Sequence, residues 1–107
     1  QLVELSMLYP QATLIMGHTA FSDFWNDVMA AGKAAPNLWF ETSLHWPSFV
    51  TDLVKTHGSE RILFGSDHPR NSLAVEIEKI RRHVKDEVDC ENILWRNAQR
   101  LFPEVAP

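Results

Sequence analysis

The chain has 107 residues, of which 45% are hydrophobic and 22% charged, a globular composition and one domain's worth of length, which excludes a disordered or fibrous polymer. Ten Lys and Arg against fourteen Asp and Glu give a formal net charge of -4, leaving no basic surplus to neutralise a phosphate backbone, so no nucleic-acid partner is expected. No apolar run approaches the ~20 residues of a membrane span, and the single cysteine, Cys90, fits a reducing compartment better than a disulfide scaffold, so no membrane contact and a cytoplasmic location are expected.

Leu2, Leu5 and Leu8, ended by Pro10, read as the tail of a helix whose own strand is absent. Gln1 is not an initiator Met and no basic, then apolar, leader follows it, so a start further upstream is expected. Residues 13–16 form a first apolar run that predicts a short buried strand. Ser22 can cap the next helix, with Asp23 in its first turn, Val28, Met29 and Ala31 along it, and Gly32 and Pro36 as its stop. Residues 38–42 predict a second strand. Pro47 suits the first position of the following helix, Phe49, Val50, Leu53 and Val54 make its apolar stripe, and Gly58 supplies a left-handed stop.

Residues 61–64 predict the third strand. Beyond it, Asn71 can cap a helix in which Leu73, Ile77, Ile80 and Val84 step by four, three and four, with Arg81, Arg82 and Lys85 at its C-terminal end. Asp89 opens a last helix with Leu94, Ala98, Leu101 and Phe102 on one face and Pro103 at its close. Strand–helix units in succession argue for parallel strands and right-handed crossovers, an α/β fold. His18, Ser43 and Asp67, which end the three strands, lie 25 and 24 positions apart, close to the spacing of ~250 residues shared among eight barrel units. Three units cannot close a barrel. An open doubly wound sheet would tolerate the pattern, but the first strand lacks a Gly-rich nucleotide turn.

Ligands of parallel α/β folds sit at the carboxyl ends of the strands, so polar residues that follow an apolar run there are the candidates. His18 stands behind Gly17 and Asp67 two residues beyond Gly65, glycines that permit close approach of another group. Imidazole can ligate a metal or carry a proton near neutrality, and a carboxylate can ligate a metal or take a proton from its water. Plainer readings exist: Asp67 as a helix cap or turn former, His18 as a core histidine bonded to backbone carbonyls. Ser43, His45 and Trp46 lie on the loop after the second strand and could touch substrate. Arg70, beside His68 and Pro69, could fork a substrate carboxylate or simply face water. Glu41 is inside the middle strand, where an unpaired carboxylate is costly, so it must face an Arg, a polar cavity or solvent. His57 and His83 read as partners of helix C-termini, and Cys90 at a helix start could have a lowered thiol pKa, without a neighbour that would make it a nucleophile.

The strings Leu14-Ile15-Met16-Gly17-His18, Asp23-Phe24-Trp25, Pro36-Asn37-Leu38-Trp39-Phe40-Glu41-Thr42-Ser43, Glu60-Arg61-Ile62-Leu63-Phe64-Gly65-Ser66-Asp67-His68-Pro69 and Asn97-Ala98 with Leu101-Phe102 together resemble the C-terminal part of the amidohydrolase-2 family. The resemblance runs through essentially the whole chain. It implies that residues 1–107 are a single C-terminal fragment of a (β/α)8 TIM barrel, the last three strand–helix units plus a terminal helix. His18 would end the sixth strand and Asp67 the eighth, both catalytic, with Asp67 also a metal ligand. The divalent ion would be zinc or, second, manganese, although metal-independent members exist. In metal-dependent members an H-x-H pair and a further His complete the site, and none of these three can be located here. His68 stands where an aromatic residue is common and Ala20 where Gly is frequent.

The function implied is metal-assisted hydrolysis of a small carboxylated or cyclic substrate, by a fragment inactive on its own. Nonoxidative decarboxylation is the alternative within the family, and a truncated, non-catalytic module the alternative outside enzymes. A small-molecule substrate and a homo-oligomeric parent are the partners expected, and Ser43, His45 and Arg70 the substrate contacts.

Overall fold

Three short parallel strands, β1 (Leu14–Met16), β2 (Leu38–Glu41) and β3 (Ile62–Leu63), pair in the order β1-β2-β3 in a computed structural model that describes residues 1–21 and 24–105. Leu14 lies opposite Leu38, Met16 opposite Phe40, and Phe40 opposite Ile62. Side chains alternate across a strand, and here the alternation divides the sheet. Met16, Leu38, Phe40 and Ile62 enter one core with Phe49, Val50, Leu53, Ile80, Val84 and Ile93 from the helical layer. The opposite face is only partly covered: Ile15 is 41% exposed, Trp39 and Glu41 are half-buried, and Leu63 is buried. The strands are therefore not buried on both faces, as expected from their apolar runs, because helices cover only one of them.

Among the described residues six α-helical segments accompany the sheet: α1 (Leu2–Leu8), α2 (Val28–Ala34), α3 (Pro47–His57), α4 (Leu73–His83), α5 (Glu87–Glu91) and α6 (Asn97–Leu101). The predicted cap Ser22 and its neighbour Asp23 lie outside the described residues. Pro47 opens α3 and Gly58, at φ 72°, ends it as predicted. Gly32 does not stop its helix, which continues to Ala34. A Cβ on Gly32 would instead run into the rings of Phe40 and His57, so the glycine serves the packing of α2. Ser72, not Asn71, is the N-cap of α4. The last helical stretch begins at Glu87 rather than Asp89, because Asp86 accepts the Asp89 N–H and caps it two residues earlier.

Between α5 and α6 the chain makes a π segment, Asn92–Arg96. Its wider turn rotates the register. Ile93 and Asn97 become the buried residues, while Ala98 and Phe102, expected on the buried face, are exposed. Within this segment the Ile93 carbonyl accepts the N–H of Phe64 just beyond β3, at 2.9 Å.

A polar framework ties the strands' amino ends together. Arg61 donates to the carbonyls of Ala35, Pro36 and Leu38 at 3.0 Å each and of Gly32 at 3.1 Å. Fully buried Asn97 donates to the carbonyls of Ser59 and Ile62, both at 2.7 Å. Asn37 donates to the carbonyls of Tyr9 and Ala12 and accepts the hydroxyl of buried Ser6, fastening α1 to the start of β2. No helix among the described residues is long and apolar enough to cross a membrane.

Candidate functional site

At the carboxyl end of β1 the chain turns through three consecutive left-handed residues, His18, Thr19 and Ala20, with φ of 51, 36 and 60°. Side chains with a Cβ avoid this region at a cost of ~1–3 kcal/mol each, so surrounding contacts must impose it. Glu41, the last residue of β2, supplies several of them. One carboxylate oxygen of Glu41 accepts the His18 N–H at 2.8 Å, and its main chain exchanges two hydrogen bonds with the hydroxyl of buried Thr19. His45 supplies another: Nε2 faces the carbonyls of His18 at 2.6 Å and Thr19 at 3.1 Å, and since a carbonyl only accepts, Nε2 carries the proton.

The Glu41 carboxylate also accepts the Ser43 N–H at 2.6 Å and the Ser43 hydroxyl at 2.7 Å, and Ser43 Oγ lies 2.6 Å from His18 Nδ1. Among the described residues the carboxylate in the strand meets no Arg; backbone and hydroxyl donors satisfy it, with His18 Nδ1 3.5 Å from Oε2. Gly65 makes room for it, since a Cβ at Gly65 would occupy the position of the Glu41 carboxylate. The close approach expected at Gly65 is therefore made by this side chain, whereas a Cβ on Gly17 would meet nothing within 4 Å.

His45 is 3% exposed, stacked on Phe49 at 4.1 Å between ring centroids. Burial, aided by the charge of Lys79, pushes its pKa below the usual histidine value against the opposing hydrogen bonds from the His18 and Thr19 carbonyls. Its Nδ1 is buried with no hydrogen-bond partner among the described residues. Lys79 of α4, paired with Glu76, donates to the carbonyls of Thr42 at 2.8 Å and His45 at 3.1 Å, and so pins the loop that carries Ser43 and His45.

Asp67 lies beyond β3, half-buried and again left-handed at φ 54°. Its carbonyl accepts the N–H groups of Arg70 at 2.9 Å and Asn71 at 3.3 Å across a turn containing a cis His68–Pro69 bond. Arg70 and His68 are exposed. The structure thus joins His18, Ser43 and His45 into one network with Glu41 and Thr19; no hydrogen bond among the described residues ties Asp67 or Arg70 to it. Among the described residues no three His, Cys, Asp or Glu side chains gather as a metal site. Cys90 departs from the lowered pKa considered for it: burial pushes the thiol up, the nearby Glu91 and Glu87 add to this, and Arg81 only partly opposes it.

The roles of Glu41, Thr19 and Lys79 were not predicted. The signal for Glu41 was its costly position inside a strand; nothing in the local pattern marked Thr19. Two cavities lie away from this network. One of about 570 Å³ runs along α4 past Ala74, Val75, Glu78 and Arg82, and one of about 470 Å³ sits beneath α1 against Met16, Phe24 and Val28. Neither of these two is lined by His18, Ser43 or Asp67.

Residues 1–103 match the family model described as amidohydrolase. Among curated proteins the chain is 29% identical over 116 residues to 2-amino-3-carboxymuconate-6-semialdehyde decarboxylase of Caenorhabditis elegans, an alignment that covers 90% of this chain and 29% of the relative. Among solved structures it resembles 2,6-dihydroxybenzoate decarboxylase complexed with 2,6-dihydroxybenzoate, at a TM-score of 0.60 and 21% identity over 97% of this chain and 32% of that one. The 2,6-dihydroxybenzoate decarboxylase from Rhizobium gives the same TM-score and identity over 98% and 32%. The chain spans about a third of the length of these relatives.

Proposed function

Because the chain belongs to the amidohydrolase family, we propose that residues 1–107 are the C-terminal part of a nonoxidative decarboxylase acting on a small carboxylated substrate. The carrying observation is that the curated relative and both structural relatives are named as decarboxylases. Hydrolysis, the leading expectation from sequence, becomes the second reading; the family's own description is what keeps it. In this proposal the three strand–helix units are the last three of a (β/α)8 barrel, and the partly covered face of the sheet, with Ile15, Trp39 and Glu41, looks into it.

The reaction breaks one C–C bond. CO2 leaves, the bonding electron pair stays on the substrate carbon, and that carbon takes a proton. His18 and Asp67 are the groups assigned to deliver it, each at the carboxyl end of a strand, where such folds hold their ligands. Arg70 is the fork for a substrate carboxylate. Ser43 and His45 act beneath His18, through its ring and its carbonyl. A divalent ion, zinc or manganese, would polarise substrate oxygens, and Asp67 is the ligand this chain would offer. His18 and Asp67 amount to fewer than the about three protein ligands of a catalytic ion, so the described residues alone do not fit it and no step is assigned to it.

The test uses the full-length protein that contains this chain, assayed for CO2 release from a panel of small aromatic and unsaturated carboxylates and for hydrolysis of amides, esters and lactones. Release of CO2 that His18→Gln and Asp67→Asn each abolish is the expected result. Hydrolysis without CO2 release, or full decarboxylation by either variant, overturns the reading.

A further inference from the structure

The atoms around His18 decide which of its nitrogens carries the proton. Glu41 Oε2 can only accept, so the Ser43 hydroxyl, 2.7 Å away, gives its one hydrogen to the carboxylate. Were that hydrogen turned toward His18 instead, two oxygen lone pairs would face each other at hydrogen-bond distance. With its hydrogen spent, Ser43 Oγ is an acceptor toward His18 Nδ1 at 2.6 Å, and Nδ1 must supply the proton. The relay is anchored at both ends: Glu41 also accepts the N–H groups of His18 and Ser43, and Ser43 is 1% exposed, so water does not compete for its hydroxyl. The imidazole itself remains 45% exposed.

We propose that Glu41 and Ser43 are positioning residues that hold neutral His18 in its Nδ1–H form, leaving Nε2 without a proton and available to accept one or to bind a ligand. Histidine in water favours the opposite form, Nε2–H, so the relay selects a state the free side chain disfavours. The role in turnover rests on the proposed decarboxylase reading, in which Nε2 takes a proton from solvent and passes it to the substrate carbon; the tautomer itself does not depend on that reading.

The test is 15N NMR of histidine-labelled full-length protein at alkaline pH, with the His18 signals assigned by their loss in His18→Gln. Wild type is expected to show a protonated Nδ1 and an unprotonated Nε2. Ser43→Ala should move the ring toward Nε2–H and lower kcat by about tenfold or more with KM little changed, and Ser43→Thr, which restores the hydroxyl, should restore both. A wild-type His18 already in the Nε2–H form, or a Ser43→Ala ring unchanged in a folded protein, overturns the proposal whether or not CO2 release is found. Absence of CO2 release with the expected tautomers overturns only the decarboxylase reading.

Discussion

The two ends of the sheet are built differently. At the amino ends of the strands, Arg61, Asn97 and Asn37 send their donors to backbone carbonyls. That end holds the positive-φ glycine Gly58 at the stop of α3, where no Cβ is strained. At the carboxyl ends lie all five non-glycine left-handed residues among those described, His18, Thr19, Ala20, Leu44 and Asp67. A buried imidazole nitrogen there, His45 Nδ1, has no partner among the described residues, and a carboxylate is spent on shaping a turn. One end spends its side-chain donors on backbone carbonyls and fixes the fold. The other holds strained backbone in place, which is where parallel α/β proteins put their chemistry.

The sharpest way to break this contrast is at the carboxyl end. Asp67→Asn in the full-length protein should lower kcat by ~100-fold or more, the scale of a lost proton donor, and leave the melting temperature within a few degrees, since no hydrogen bond among the described residues depends on the carboxylate. Activity assays and thermal melts on the same preparations check both halves. A fully active variant removes Asp67 from the site.

The amino end should give the reverse result. Asn97→Ala takes the side-chain donor from the Ile62 carbonyl and leaves the Ser59 carbonyl only the Ile62 N–H at 3.2 Å, at a cost of about 1–3 kcal/mol. Denaturant unfolding should show that loss with kcat nearly unchanged in the protein that remains folded. Gly65→Ala, whose methyl must displace the Glu41 carboxylate, is expected to move both quantities, with a smaller loss of kcat than in Asp67→Asn. Overpacking of this kind costs ~1–3 kcal/mol, and here the displaced group is the one that holds the His18 turn, so kcat should fall along with stability. If Gly65→Ala keeps both, Glu41 is not the support assigned to it.

What was legible in the sequence divides along the same line. Apolar runs and Gly and Pro punctuation were enough to place three strands and the helices between them, because those signals are local. Pro47 and Gly58 mark α3 by their own backbone restrictions. The π segment was not legible: its register shift depends on the Ile93 carbonyl meeting Phe64, a contact between residues 29 positions apart. Nor was the Glu41 network. His18, Glu41 and Ser43 come together only when β1 lies beside β2, and His45, which as a loop residue reads as a substrate contact, proves to be a buried prop because Lys79 from a distant helix holds its loop down.

The smallest expected effect compares two histidines, one at each end. Burial pushes both His45 and His57 below the usual histidine pKa, with Lys79 adding to the effect on His45, and Arg61 and Lys33 to that on His57. A histidine held neutral in the fold but free to protonate when unfolded leaves the unfolded state with more bound protons once pH drops below about 6.5. Stability from this source is complete above that value and declines as pH falls toward the lowered folded values. His57 stacks on Phe40 at 5.1 Å, and its Nε2 has no hydrogen-bond partner among the described residues, so a phenylalanine keeps the stack and loses only the proton site. His57→Phe should therefore flatten the decline in melting temperature between about pH 7 and 5 while leaving the neutral-pH value close to wild type. His45→Phe should lower stability at every pH in that range, because Nε2 is bonded to the His18 and Thr19 carbonyls and no aromatic hydrocarbon replaces those bonds. Melting curves of the two variants at matched pH separate the cases. An acid limb as steep in His57→Phe as in wild type would show that His57 is not held neutral by the fold, and the two ends would then differ less than their hydrogen bonds imply.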